Sequence, residues 1–377
     1  MTASVIGRCA SGLESVVEAF SENFASRGEV GAAVCVIIDG DVAVELAGGM
    51  ADPVAGNPWT LDTLVDVYSV GKAFIALAAL RQVDAGRIDL DGPIASVWPE
   101  YVAHGKGSTT LRQALCHLAG VPAIREPLDD ADLLDWERMT SALAATAPWS
   151  APGERVIYHT NTYGHLLGEV VRRCTGALPG AEIDEIGALA GADIHVGLDD
   201  ADERRCATVD FEAPIDPRRI DLASMEGDAQ LVATSYFNPP GYSSIGLVNT
   251  SPWRRAQVPS TNAHASARGV ARFYQALLEP GLLISPDLLA EAVAPQSSGL
   301  CPVLGEEAVF GLGFKPTSKR RPFGTSARSF GHFGTGGSVG FADPENGIAF
   351  GYVMNHVIPR WQSTRNRALI DALYAQL

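Results

Sequence analysis

The chain has 377 residues, 46% of them hydrophobic and 19% charged, which is enough to bury a large core and excludes the composition of a disordered segment. A formal net charge of −16 argues against nucleic acid or an anionic membrane surface as a partner, because either would repel it. No stretch approaches the roughly 18 apolar residues of a membrane span, and the first twenty residues lack a basic start followed by an apolar run.

An amphipathic helix opens the chain, with Leu13, Val16, Val17, Phe20 and Phe24 on one face. Two strand-like runs follow, 32–38 and 42–47, joined through Asp39-Gly40, a strong hairpin signal between apolar runs. Residues 71–85 (GKAFIALAALRQVDA) are apolar almost all round, which predicts a buried helix. Further helices are expected at 110–119, 130–146, 163–174 and 266–278. Residues 199–258 show no clear period and several Pro and Gly, so they read as loops or a variable lid. Strand character returns at 337–341 and 347–355 around the turn-rich Asp343-Pro344-Glu345-Asn346, and a final helix carries Leu369, Ile370, Leu373, Tyr374 and Leu377. Strands at both ends with helices between predict an α/β (α+β) fold, its sheet assembled from both termini with a mainly helical region inserted. The expected division is 1–66 together with 305–377 as the sheet domain and 67–304 as the helical domain.

The six cysteines (Cys9, Cys35, Cys116, Cys174, Cys206, Cys301) are scattered, with no C-x-x-C pair, and the eight His are dispersed. They read as buried free thiols in a cytoplasmic protein with no metal or cofactor. Chemistry is better sought at Ser69-Val70-Gly71-Lys72, where extended sequence gives way to the apolar helix. Three apart on a helix, Ser and Lys share a face. A buried ammonium loses hydration and its pKa falls, so Lys72 could take the hydroxyl proton, while the helix N-terminus favours a developing alkoxide. The competing reading is a capping Ser and an ordinary Lys. Against it, the chain has only four Lys, and Lys72 sits in a run too apolar to be a solvated face.

Tyr158, just before the helix at 163, could relay protons if cationic neighbours lower its pKa; standing alone it would read as a half-buried aromatic. In Gly331-His332-Phe333-Gly334-Thr335-Gly336-Gly337 the glycines let backbone N–H groups approach a ligand, as an oxyanion hole requires, although a tight turn is the commoner use. Gly336-Gly337-Ser338-Val339-Gly340 matches G-x-S-x-G, but that elbow needs a helix after it and here another strand-like run follows. Beyond it lies only His356, so Ser338 reads as structural.

Ser-x-x-Lys, Tyr, then His-x-Gly, in this order, resembles the serine β-lactamase, DD-peptidase and family VIII carboxylesterase superfamily. Segments 63–72 (TLVDVYSVGK), 115–122 (LCHLAGVP), 152–169 (PGERVIYHTNTYGHLLGE), 260–268 (STNAHASAR) and 331–355 look like the esterase branch. The resemblance implies a sheet domain from both termini, a helical domain between, and an active site at their junction. It implies Ser69 as acylated nucleophile, Lys72 with Tyr158 as proton relay, the backbone N–H groups of Ser69 and Thr335 as oxyanion hole, and His332, Phe333, Gly334 and Thr160 beside the substrate. Two positions depart from the β-lactamase pattern: Thr160 stands where Tyr-x-Asn has Asn, and His332 where Lys-Thr-Gly has Lys. A His near its reference pKa of ~6.5 is largely neutral at pH 7. Both changes favour a carboxylesterase acting on short-chain or apolar acyl esters, a small-molecule substrate, without cofactor or metal. An acyltransferase, an amidase or β-lactam hydrolase, and a non-catalytic acyl sensor are the alternatives.

Overall fold

The Asp39-Gly40 pair shows how local chemistry seeds the sheet. Both residues take positive φ (49° and 89°), the combination a two-residue I′ hairpin demands and Asp-Gly supplies readily. The structure, a computed structural model, describes residues 4–358 and 363–377. In chain order its main elements are β1 (Val5–Cys9), α1 (Glu14–Ser26), β2 (Gly31–Ile38), β3 (Asp41–Asp52), α2 (Gly71–Asp84), α3 (Thr162–Thr175), α4 (Gly227–Phe237), α5 (Ala267–Leu278), β4 (Lys315–Pro316), β5 (Phe330–Phe333), β6 (Val339–Asp343), β7 (Ile348–Met354) and α6 (Thr364–Tyr374).

These strands form one antiparallel sheet in the order β1-β3-β2-β7-β6-β5-β4, so the two ends of the chain meet where β2 pairs with β7. Gly340 and Gly351 face each other in that sheet. A Cβ on Gly340 would sit 2.4 Å from the Tyr274 ring, and one on Gly351 would sit 2.3 Å from the Ala267 carbonyl oxygen. Their bare backbones let α5 lie flat on the sheet. Helix α2 is the buried helix expected, with Ala73 to Leu80 all fully enclosed, which is why its sequence shows no polar face.

Three expectations change. The helix expected at 110–119 is only Leu111–Leu115, because His117 and Gly120 take positive φ and turn the chain out of helical geometry. The helix expected at 130–146 is two, Asp130–Leu133 and Trp136–Ala145. Asp129 and Asp135 each cap a new N-terminus there through the side-chain oxygen. The 199–258 segment is not loop alone, since it carries α4 and the short helices Asp200–Glu203 and Ser251–Arg255. Of the cysteines, all unbridged, Cys35, Cys116 and Cys301 are buried and the other three only half-buried. Leu377 lies beyond α6 and is exposed. No helix among the described residues is long and apolar enough to cross a membrane.

Candidate active site

Ser69 sits in a 3₁₀ turn, Tyr68–Val70, that runs straight into α2. Tyr68 takes φ +51°, a strained conformation for a bulky side chain that persists only where its surroundings hold it. Here the holders are specific. The Asp66 carboxylate accepts the Tyr68 amide at 2.9 Å, and Ser244 donates to the Tyr68 hydroxyl at 3.2 Å. Gly71 follows because a Cβ there would fall 2.3 Å from that of Ala263. Its absence lets the loop bearing Ser260 close over the start of α2.

Lys72 is fully buried one turn on. Its Nζ lies 3.1 Å from Ser69 Oγ, 2.5 Å from the Thr160 carbonyl oxygen and 3.2 Å from that of Ser260. Burial, reinforced by the charge of Lys315, pushes the Lys72 ammonium well below the usual lysine range. A neutral amine suits this cage. Its N–H groups donate to both carbonyls, and on deprotonation the freed lone pair would lie within reach of Ser69 Oγ, 3.1 Å away.

Tyr158 is held from both sides by His117. The Ile157 amide donates to the His117 carbonyl at 3.1 Å, and the His159 amide donates to His117 Nδ1 at 3.2 Å. Lys72 Nζ lies 5.0 Å from the centre of the Tyr158 ring and Lys315 Nζ 5.8 Å from it. Burial nevertheless raises the Tyr158 hydroxyl above its ordinary value, with the Ser69 side chain as hydrogen-bond partner pulling the other way. The phenol therefore stays protonated at neutral pH, because desolvation outweighs the hydrogen bond from Ser69.

The backbone groups expected as an oxyanion hole also come to this place. Ser69 lies in one 3₁₀ turn and Thr335 opens another, Thr335–Gly337; amides at the start of a helical turn have no partner within it. Both residues line one cavity. Gly334 makes that approach possible, because a Cβ on it would lie 2.4 Å from the Val67 carbonyl oxygen.

The cavity above Ser69 has a volume of about 220 Å³. Phe211, Pro214, Ile215, Phe237, Ile245 and Val357 form its apolar wall, Thr160, Asn161, Tyr236, Ser243, Ser260 and Thr261 add hydroxyl and amide groups, and among the described residues none that lines it is charged. Of the four residues expected beside the substrate, only Thr160 lines it. His332 is buried behind Tyr158, their ring centres 6.4 Å apart. Burial, together with the charges of Lys315 and Lys72, keeps its imidazole neutral, well below the ordinary histidine range. Phe333, next on the strand, must point to the opposite face, and its ring stacks on Phe323 at 4.6 Å. Ser338 is fully buried and leads into β6 with no helix after it.

Sequence reasoning missed four contributors: His117, Lys315, Asn161 and Tyr236. Lys315 was visible as one of only four lysines. Its neighbourhood was not, because β4 reaches the site only by pairing with β5. Asn161 donates to the Ser235 carbonyl at 2.9 Å and to Ser243 Oγ at 3.1 Å, and accepts from Thr261 at 2.9 Å. It thereby ties the segment before α3 to α4 and the cavity wall.

A family model described as Beta-lactamase matches residues 13–375. The sequence is 31% identical over 351 residues to Esterase/beta-lactamase LipL of Mycobacterium tuberculosis (strain ATCC 25618 / H37Rv), covering 91% of this chain and 81% of that protein. Two solved structures match with a TM-score of 0.89, each covering 99% of this chain and 100% of its own. They are a family VIII carboxylesterase at 33% identity and a penicillin-binding protein homologue from Caulobacter crescentus at 36%. The chain belongs to the beta-lactamase family. Within it, this protein is a serine hydrolase of the carboxylesterase type.

Proposed function

We propose that the protein hydrolyses short-chain or apolar acyl esters through an acyl-enzyme on Ser69. The observation that carries this reading is the largely apolar wall directly above that hydroxyl, which among the described residues bears no charge. A neutral ester loses little on entering such a site, whereas a substrate carboxylate would be stripped of water with no cation among the described lining residues to meet it. Neutral Lys72 takes the Ser69 proton as Oγ attacks the ester carbonyl, and the N–H groups of Ser69 and Thr335 receive the oxyanion. Tyr158 gives its proton to the departing alkoxide and is recharged from Lys72. Water then enters by the reverse relay and releases the acid.

The names of relatives point both to esterases and to penicillin-recognising proteins, so the deciding experiment sets the two substrates side by side. p-Nitrophenyl butyrate is expected to be turned over with a kcat/KM at least 10²-fold above that for nitrocefin, and an aryl phosphonate is expected to label Ser69 and not Ser338. Comparable efficiencies on the two substrates would refute the ester reading, and labelling of Ser338 would refute the site itself.

A further inference from the structure

The turn that carries Thr335 is gripped from behind by the last helix. Arg365 and Asn366, in the first turn of α6, reach its two glycine carbonyls. Arg365 donates to the Gly336 carbonyl at 3.2 Å and Asn366 Nδ2 to the Gly337 carbonyl at 2.8 Å. Arg365 is fully enclosed and paired at 2.7 Å with Glu29, equally enclosed, which also accepts from the Tyr352 hydroxyl. The same guanidinium donates to the His356 carbonyl at 2.8 Å. The contact is close enough to dictate residue type: a Cβ on Gly337 would lie 2.8 Å from Ser363 Oγ. Gly336 and Gly337 both take positive φ (85° and 117°), so the turn adopts a shape that other residues would resist.

None of these side chains faces the cavity. A buried ion pair gives little net stability, because desolvation offsets its attraction, and it is better accounted for by what it orients. Here the guanidinium holds both the His356 carbonyl and a three-residue turn whose first residue, Thr335, lines the site. We infer that Arg365 and Asn366 are positioning residues for the oxyanion hole, aiming the Thr335 amide by holding the carbonyls of Gly336 and Gly337. This rests on the reading of Thr335 as an oxyanion donor.

Two variants separate this role from general support of the fold. Asn366→Asp keeps the side-chain oxygen that accepts the Ser363 amide at the helix cap but removes the donor to Gly337. Arg365→Lys keeps the charge opposite Glu29 but loses the planar fork that spans two carbonyls. The concentration of reactive sites is titrated with the aryl phosphonate, and kcat and KM for p-nitrophenyl butyrate are expressed per titrated Ser69. A misaimed amide costs less than a deleted one, whose loss is worth about 10²–10³ in kcat. The expected result for each variant is therefore a kcat lower by about 10- to 100-fold with KM within about twofold of the parent. The rate of phosphonate labelling is expected to fall in parallel, because the phosphoryl oxygen occupies the oxyanion position. Parental kcat per titrated site, or a loss appearing in KM, overturns the inference. Should Arg365→Lys fail to fold, Asn366→Asp decides alone. Failure of the phosphonate to label Ser69 in the parent protein sinks the oxyanion reading instead, so the two failures are distinguishable.

Discussion

The floor of the site and its wall are built on opposite plans. The floor is the 3₁₀ turn and the first turns of α2: contiguous sequence, buried through Leu80, with Lys72 Nζ held by Ser69 Oγ and two carbonyls. The wall comes largely from short segments between 211 and 245, joined by turns and pinned through Asn161 and its partners. Desolvation tunes the floor, where one missing atom changes a proton's affinity. Apolar contact area shapes the wall, where one missing ring changes only how well a chain of methylenes fits. Changes in the floor should therefore cost rate, and changes in the wall should cost discrimination among acyl groups.

The sharpest break in that contrast is a floor residue. Lys72→Ala is expected to lower kcat on the order of 10⁴, and Tyr158→Phe, which keeps the ring, on the order of 10². Because base and acid act as one relay, the double variant should be little worse than Lys72→Ala alone. Stopped-assay kcat values, taken after thermal melts show intact folds, decide it. Near-parental turnover by the Phe variant would take Tyr158 out of the relay and leave Lys72 to handle both protons.

A smaller effect should come from Lys315, which is not among the residues that line the cavity. Its charge helps hold the Lys72 ammonium below the ordinary range. Lys315→Met removes that repulsion, so the Lys72 pKa rises and the neutral base is scarcer at any given pH. The acid limb of the kcat/KM profile should then move to higher pH, with the plateau recovered above it. An unshifted limb would mean that burial alone tunes Lys72.

The mildest change belongs to the wall. Phe237→Ala should leave kcat nearly intact and reduce the preference for butyrate over acetate by about threefold. That is part of the ~0.8 kcal/mol per methylene that a full apolar contact returns. A 10²-fold fall in kcat for acetate would show that this wall does more than fit the acyl chain.

Legibility followed the same line. The Ser69–Lys72 pair could be read because helical spacing puts three-apart residues on one face and because a lysine in an all-apolar run has few reasons to be there. The Asp39-Gly40 hairpin and α2 were readable for equally local reasons. The helix expected at 110–119 failed where His117 turns the chain, and that turn is set by its grip on Tyr158, some forty residues away. The residues expected beside the substrate along 332–334 do not line the cavity, for a related reason. The motif names consecutive residues, but strand alternation sends Phe333 to the far face and His332 behind Tyr158.

What the sequence determined by itself depends on neighbours within one helical turn or one hairpin: the Ser69–Lys72 pair, the buried helix, the glycine-rich turn. Only the tertiary structure decided the burial that raises the Tyr158 pKa, the second lysine beside it, the apolar cavity wall and the grip of Arg365 on Gly336. Each of these depends on how much water is excluded and on which distant groups stand a few ångströms away, and those quantities exist only once the two ends of the chain have paired in one sheet.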